Sequence, residues 1–399
     1  MRARWNIALV LLLVAVFFAA CGSGDNDDET RATASPAATG AAAAGSATQP
    51  AQALNANIGF AFTLSGPNAV YGQSQQKGAQ LALDEINNQN AVPGVKLSAT
   101  FEDEAGDRNQ AINVFNKFLS GNTTAIIGPT LSGVAQAADP LAQAKKTPVL
   151  GVSNTAAGIT DIGDYIFRDS LTEGDVIPQA VKKVVERYQP KKAALLFAND
   201  DAFSKSGGDT MRSALKANGI EIATEQQFST NDKDFRAQLT AVRQANPDVI
   251  LVSALTAPAT SIVTQARELG LKQPIMGGNG FNTPDLIKNA GAAADGVIVG
   301  AAWNSASTNP RSQAFLKNYK AKYKADPDQF AAQAYAGVYI MAEALKNANT
   351  TEKPALRNAL AGIKDLDTVL GTFSFSDKRD AVHPAVVQVI KDGKFTVLE

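Results

Sequence analysis

From Asn57 onward the chain repeatedly switches hydrophobic period, and this alternation restricts the folds open to it more than any other feature. The apolar run NIGFAF ends in the turn TLSGPNAVYG, after which Gly78, Ala79, Ala82, Leu83 and Ile86 share one helical face. VKLSATFED reads as a strand, NQAINVFNKFL as a helix, TAIIG as a strand, SGVAQAADPLAQA as a helix and TPVLGV as a strand. A second series follows YIFRDS, with helices over 173–188, 204–218, 235–245 and 259–269. Its strands are KAALLFA, IEIATE, DVILVSA, QPIMGG and DGVIVGAAW. Short βα connections of this kind make neighbouring strands parallel and cover the sheet with helices on both faces. The strands are too many for one small sheet, so the expected fold class is α/β with two lobes. After Trp303 come three helices, 309–325, 328–347 and 352–362, then LGTFSFS and a hairpin turned at Asp392-Gly393. That late block fits a chain that crosses back. Residues 54–171 with 303–376 should form lobe 1, and 172–302 with 377–399 lobe 2.

The first residues read as a targeting segment. Arg2 and Arg4 precede an unbroken apolar run, Ile7 to Ala20, which is short for a bilayer span. Ala19 and Ala20 stand directly before Cys21, the only cysteine. The pattern resembles a bacterial lipoprotein leader, which implies a signal peptide over 1–20 and lipidation at Cys21; a secreted chain cut at a nearby site and an uncleaved anchor are the alternatives. Residues 21–53, rich in Ala, Gly, Ser, Thr and Asp, have too little apolar surface to fold and read as a flexible linker. The expected location is exported, lipid-anchored to the outer face of the cell membrane, or periplasmic.

Composition removes several classes of function. The 399 residues are 45% hydrophobic and 19% charged, with a formal net charge of −1 and no basic stripe, so nucleic acid has no electrostatic footprint. One Cys and one His exclude an intrachain disulfide and a Cys/His metal cluster. A histidine-based triad would need His383, which is followed by Pro384 and has no oriented nucleophile nearby in sequence.

The chemistry is expected where strands end. In doubly wound sheets ligands lie beyond the carboxyl ends of strands. The run AIIGPTLSG places Ser132 as a candidate N-cap of the next helix. The first N–H groups of such a helix lack intrahelical partners and its dipole is positive there, so a serine hydroxyl completes an anion site without Lys or Arg. Ser153-Asn154-Thr155 repeats the arrangement on another strand. Simple capping is the alternative reading of both. GGNGFN lacks the third glycine of a dinucleotide fingerprint, and EDEAGD lacks the ligand pattern of a calcium loop and reads as a solvated turn. Tyr71, Phe203 and Phe330 are either core packing or the lining of a cleft.

IGFAFTLSGPNAVYGQSQQKGAQLALDEIN, AIIGPTLSG, TPVLGVSNT and DPDQFAAQAYAGVYIMAEAL resemble the branched-chain amino-acid-binding proteins of ABC transporters, the leucine-binding-protein group of the type I periplasmic-binding-protein fold. The resemblance runs from about Asn57 to the C-terminus. It implies two Rossmann-like lobes joined by three crossover strands around a ligand cleft that closes by hinge motion. It further implies that Ser132 binds a ligand carboxylate, that the Ser153 carbonyl and Thr155 hold the ammonium and carboxylate, and that Tyr71, Leu131, Phe203, Leu255 and Phe330 line the cleft. Ser204 replaces the glycine that usually follows the second-lobe aromatic. Asn279 in MGGNG replaces the acidic residue that commonly pairs with the ammonium, so either another acid substitutes, with Asp175 and Asp201 as candidates, or the ligand is not a zwitterion.

The implied function is a solute receptor without catalysis or cofactor, a monomer that delivers an amino acid or related small carboxylate to an ABC permease. An amide, urea-like or aromatic-acid ligand, a ligand-sensing role, and an exported α/β enzyme are the alternatives.

Overall fold

The computed structural model describes residues 53–399; Cys21, the leader and the linker before Ala53 lie outside the described residues. The first series of elements is β1 (Leu54–Phe62), α1 (Ala69–Gln89), β2 (Val95–Asp103), α2 (Arg108–Ser120), β3 (Ala125–Ile127), α3 (Ser132–Ala144), β4 (Val149–Gly151) and β5 (Ile166–Arg168). The second is α4 (Glu173–Tyr188), β6 (Lys192–Ala198), α5 (Ala202–Ala217), β7 (Glu221–Phe228), α6 (Arg236–Ala245), β8 (Val249–Ser253), α7 (Thr256–Glu268), β9 (Ile275–Gly277), α8 (Pro284–Ala290) and β10 (Ile298–Ala301). The remainder is α9 (Pro310–Tyr323), α10 (Gln329–Ala348), α11 (Lys353–Ala361), β11 (Leu366–Thr368), β12 (Gly371–Phe375), β13 (Ala381–Val382), β14 (Val386–Lys391) and β15 (Lys394–Val397).

The first sheet has the order β2-β1-β3-β4-β5 and is parallel throughout. The second has the order β15-β14-β10-β9-β8-β6-β7, parallel except for the β14–β15 hairpin and its pairing to β10. Asp392 and Gly393 turn that hairpin with φ of 50° and 73°, the paired positive values that suit a two-residue hairpin turn. β11, β12 and β13 form a third, antiparallel sheet. The chain passes between the main sheets three times, after β5, after β10 and before β14.

Each sheet is covered on both faces, as its near-continuous apolar strands require. On the first, Phe60, Phe62, Ile58 and Leu150 pack against α1, α9, α10 and α11, while Ile126, Ala61 and Val149 pack against α2 and α3. On the second, Ile250, Val252 and Leu196 face α6, α7 and α8, while Leu195, Leu251 and Ile298 face α4 and α5. α10 is apolar almost all round, as a helix buried on several sides must be. It lies so close to α1 that a Cβ at Gly78 would stand 2.0 Å from the Ala331 carbonyl oxygen.

Two local expectations change. Ser153-Asn154-Thr155 does not begin a helix; the segment after β4 runs without one to a 3-10 turn at Thr160–Ile162. The buried Arg168 guanidinium donates to the carbonyls of Asn154 (2.9 Å) and Ala156 (2.6 Å) and so takes acceptors that a helix would use. In the second lobe, α8 lies between QPIMGG and DGVIVGAAW, where the period suggests no helix; the Thr283 hydroxyl caps it and Pro284 occupies its first turn.

Gly78→Ala should therefore lower stability by about 1–3 kcal/mol or more, since main chain cannot yield as a side chain can. The measurement is the urea midpoint, and an unchanged midpoint would show that α1 and α10 slide apart freely.

Candidate ligand-binding site

Strand ends of both sheets meet around one small cavity, lined by Tyr71, Thr130, Leu131, Ser132, Ser153, Phe203, Leu255, Asn279, Gly280 and Phe330. These positions open helices or follow strands: Tyr71 is in the first turn of α1, Ser132 opens α3, Phe203 is second in α5, and Phe330 is second in α10. Of the residues expected at the site, Thr155 is placed apart. It lines a small adjoining space that shares Asn279. Tyr71, Phe203, Leu255 and Phe330 pack as one small apolar cluster, with the Tyr71 and Phe330 ring centroids 4.7 Å apart. Core packing and cleft lining are thus the same arrangement.

The polar corner is built from the first lobe. Leu131, not Ser132, is the N-cap of α3, because the chain is still extended at Leu131 (φ −100°, ψ 144°); Ser132 is already helical. No side chain caps this helix. The N–H groups of Val134 and Ala135 close on the Leu131 carbonyl, so those of Ser132 and Gly133 stand outside the helical ladder. Ser132 Oγ accepts from Ala156 N at 3.3 Å and stays beside the cavity. Behind it, the fully buried Gln75 donates to Ser153 Oγ (2.7 Å) and accepts from Thr130 Oγ1 (2.7 Å), while Ser153 Oγ donates to the Thr130 carbonyl (2.5 Å).

Part of the acidic run EDEAGD also belongs to this scaffold, and not to a solvated turn. Glu104 is 0% exposed and accepts from Thr63 Oγ1 (2.7 Å), Thr130 N (3.2 Å) and Gly106 N (2.7 Å). Burial pushes its carboxyl up, against the opposing pull of those donors. GGNGFN forms the end of β9 and the 3-10 turn Asn279–Phe281, a wall of the same cavity. His383 packs near Phe373, their rings 6.1 Å apart, away from the cavity lining.

The lobes touch directly around the cavity. Tyr71 Oη donates to the Gly280 carbonyl (2.8 Å) and accepts from Thr256 N (2.7 Å), the opening N–H of α7. Gln329 Nε2 donates to Asn279 Oδ1 (2.5 Å), and Ala157 N donates to Ser206 Oγ (2.9 Å). These hydrogen bonds hold the two lobes against each other around the cavity.

Of the acids that could replace a charge at Asn279, the two expected ones are engaged elsewhere. Asp175 is exposed and completes a capping box with Thr172 at the start of α4. Asp201 caps α5 and accepts from Ser204 N (2.8 Å) and Ser204 Oγ (2.7 Å), which also gives the serine at 204 its role. Instead, Glu173 lies beside the site. It is 3% exposed, accepts from Thr155 Oγ1 (2.8 Å), and its own N–H donates to the Thr155 carbonyl (3.0 Å). Burial raises its carboxyl to about 7, opposed by the Thr155 hydroxyl, the Asn279 N–H and the charge of Arg168. One sequence signal marks it: Thr172 and Asp175 already complete the capping box, which leaves Glu173 without a local task.

A carboxyl raised on folding holds its proton more tightly in the native state, so its contribution to stability is complete below the unfolded value and is lost as pH rises through about 7. Glu173→Gln should match the wild type below about pH 4 and exceed it at pH 8 by on the order of 3 kcal/mol without ligand. Urea melts at the two pH values test this; a pH-independent difference would contradict the assignment.

A family model described as periplasmic binding protein matches residues 55–394. The chain is 27% identical over 349 residues to Leu/Ile/Val-binding protein homolog 3 of Brucella melitensis, covering 86% of this chain and 93% of that one. It is 26% identical over 356 residues to the leucine-, isoleucine-, valine-, threonine-, and alanine-binding protein of Pseudomonas aeruginosa, covering 89% and 92%. Among solved structures, the branched-chain amino acid transporter substrate binding protein LivJ of Streptococcus pneumoniae, in complex with isoleucine, superposes with a TM-score of 0.80 at 31% identity, covering 86% of this chain and 97% of that one. The two-lobed α/β architecture, the cavity between the lobes and these matches have one conclusion: the chain belongs to the periplasmic binding protein family.

Proposed function

We propose that the protein is an exported receptor that captures a branched-chain or other aliphatic amino acid between its lobes and presents it, closed, to the permease of an ABC importer. The observation that carries this reading is the start of α3. A helix N-terminus without a side-chain cap, with Ser132 beside it, opens into a cavity whose other walls include Tyr71, Leu131, Phe203, Leu255 and Phe330. A carboxylate caps the helix, and an aliphatic side chain fills the apolar remainder. The amino acids for which the relatives are named support the ligand class. Binding shifts the population toward the closed form, and no chemical step is required; the lining carries neither histidine nor cysteine. The apolar run before Cys21 and the linker after it support attachment through a lipid, with the lobes free in the aqueous phase.

An amide, urea-like or aromatic-acid ligand is the second reading. Asn279 favours it, since an amide side chain offers hydrogen bonds and no charge.

Calorimetric titration of the full-length protein in mild detergent, with leucine, isoleucine, valine, benzoate and small amides, separates the two. The aliphatic amino acids should bind, and Ser132→Ala should weaken them at least about tenfold, as loss of a charge-assisted hydrogen bond does. Its melting temperature should stay within about 2 °C of the wild type. If melting falls while affinity stands, Ser132 serves the fold alone. If only benzoate or amides bind, the second reading replaces the first.

A further inference from the structure

We infer that Arg168, which does not line the cavity, is the positioning residue that couples the cavity wall after β4 to the crossovers between the lobes, so that occupancy of the cavity is felt at the third crossover. This deepens the receptor function proposed above and rests on it.

Arg168 is the last residue of β5, so the first crossover, residues 169–172, begins directly after it, and α4 opens the second lobe at Glu173. The third crossover, residues 383–385, lies between β13 and β14. Although Arg168 is 1% exposed, its guanidinium reaches the root of that crossover as well. Nε pairs with Asp380 Oδ1 at 2.6 Å, immediately before β13, and the Arg168 main-chain N–H donates to the Arg379 carbonyl (3.2 Å). Arg379 returns the contact by donating to the carbonyls of Ile166 (3.2 Å) and Thr160 (2.8 Å). It does so from φ 67°, a left-handed conformation that a non-glycine residue keeps only where its surroundings fix it.

The other arm of the guanidinium holds the segment after β4. Nη1 donates to the Asn154 and Ala156 carbonyls, and the Ser170 hydroxyl, inside the first crossover, donates to the same Asn154 carbonyl (3.1 Å). That segment touches both halves of the site. On the first-lobe side Ser153 lines the cavity, Asn154 Nδ2 donates to the Pro129 carbonyl next to Thr130 (2.8 Å), and Ala156 N donates to Ser132 Oγ. On the second-lobe side the Thr155 carbonyl accepts from Glu173 N, and Ala157 N donates to Ser206 Oγ. One side chain therefore fixes the cavity wall and the roots of two of the three crossovers to one another.

The arrangement requires an arginine. A guanidinium donates in several fixed directions at once, whereas an ammonium is a point charge on a flexible stem. A buried cation is stable only while its partners stay in place, so the guanidinium cannot follow the wall and leave Asp380 behind at low cost. Setting the wall around a ligand thus also sets Asp380, three residues ahead of the segment that must bend when the lobes move.

The test is amide hydrogen exchange on the full-length protein in mild detergent, with and without saturating leucine, for the wild type, Arg168→Lys and Asp380→Asn, alongside titration calorimetry. In the wild type, leucine should slow exchange about tenfold or more in residues 130–135, 153–157 and 379–385. Arg168→Lys keeps the charge and loses the fork. It should weaken leucine about tenfold or more, keep the leucine-dependent slowing in 130–135 and lose it in 379–385. Asp380→Asn should keep the slowing in 130–135 and 153–157 and lose most of it in 379–385. A variant that is only less stable would exchange faster in all three segments, with leucine still slowing 379–385, and that result in Arg168→Lys overturns the inference. So does a wild type that binds leucine with no change in 379–385. A wild type that binds neither leucine, isoleucine nor valine overturns the receptor reading, and this inference with it. Should Arg168→Lys fail to fold, Asp380→Asn decides, because the Asp380 side chain is 21% exposed and the guanidinium keeps both of its carbonyls.

Discussion

A parallel strand must be followed by a helix that starts near its carboxyl end, and two such sheets joined across a cleft bring helix N-termini together. Everything at the site follows from that constraint. α1, α3, α5 and α10 all open onto the cavity through Tyr71, Ser132, Phe203 and Phe330, and Leu255 directly precedes α7. Each opening is a partial positive charge in want of an acceptor. Most are answered within the protein. Asp201 and Asp328 cap their own helices, Tyr71 Oη accepts from the first N–H of α7, and carbonyls of the preceding turn serve α1. α3 has no side-chain answer. In the receptor proposed above, the place of the ligand carboxylate follows from which of these helices has no side-chain answer, not from any cationic side chain.

The negative side of the site obeys the opposite logic. A carboxylate taken out of water is stable only when donors surround it. Glu104 meets that condition and serves as scaffold, tying the turn after β1 to the Thr130 segment. Glu173 takes the Thr155 hydroxyl and the Asn279 N–H, and burial still outweighs them. Its carboxyl is raised to about 7 in a protein that has many less costly positions for an acid. Discomfort of this kind is expected where function, and not stability, selects the residue.

The fold was readable because its signal is periodic. Strand and helix alternate with short connections, and segments such as SGVAQAADPLAQA carry their own boundaries. The cavity walls were readable through resemblance, since Tyr71, Leu131, Ser132, Phe203, Leu255 and Phe330 stand in motifs that keep their register. What escaped is contact between remote segments. Nothing local in VSNTAAG shows that Arg168 will take its carbonyls. LTEGD marks Glu173 only as the acid left over by the Thr172–Asp175 capping box; it does not show that the side chain is sealed under Thr155 from the segment after β4 and Asn279 from the turn after β9, because first-turn acids are usually solvated. Ser132 was displaced by one position from the cap because cap identity depends on the backbone angle of Leu131, which composition does not encode.

The clasp at Tyr71 has a further implication. Both atoms it engages on the second lobe are main chain, the Gly280 carbonyl and the Thr256 N–H. Main-chain partners survive replacement of the side chains around them. Positions 203, 255 and 279 can therefore exchange residues, and ligand preference can drift, while the means of shutting the two halves stays in place. For the receptor proposed above, closure and ligand selectivity therefore rest on different atoms, main chain for the first and side chains for the second.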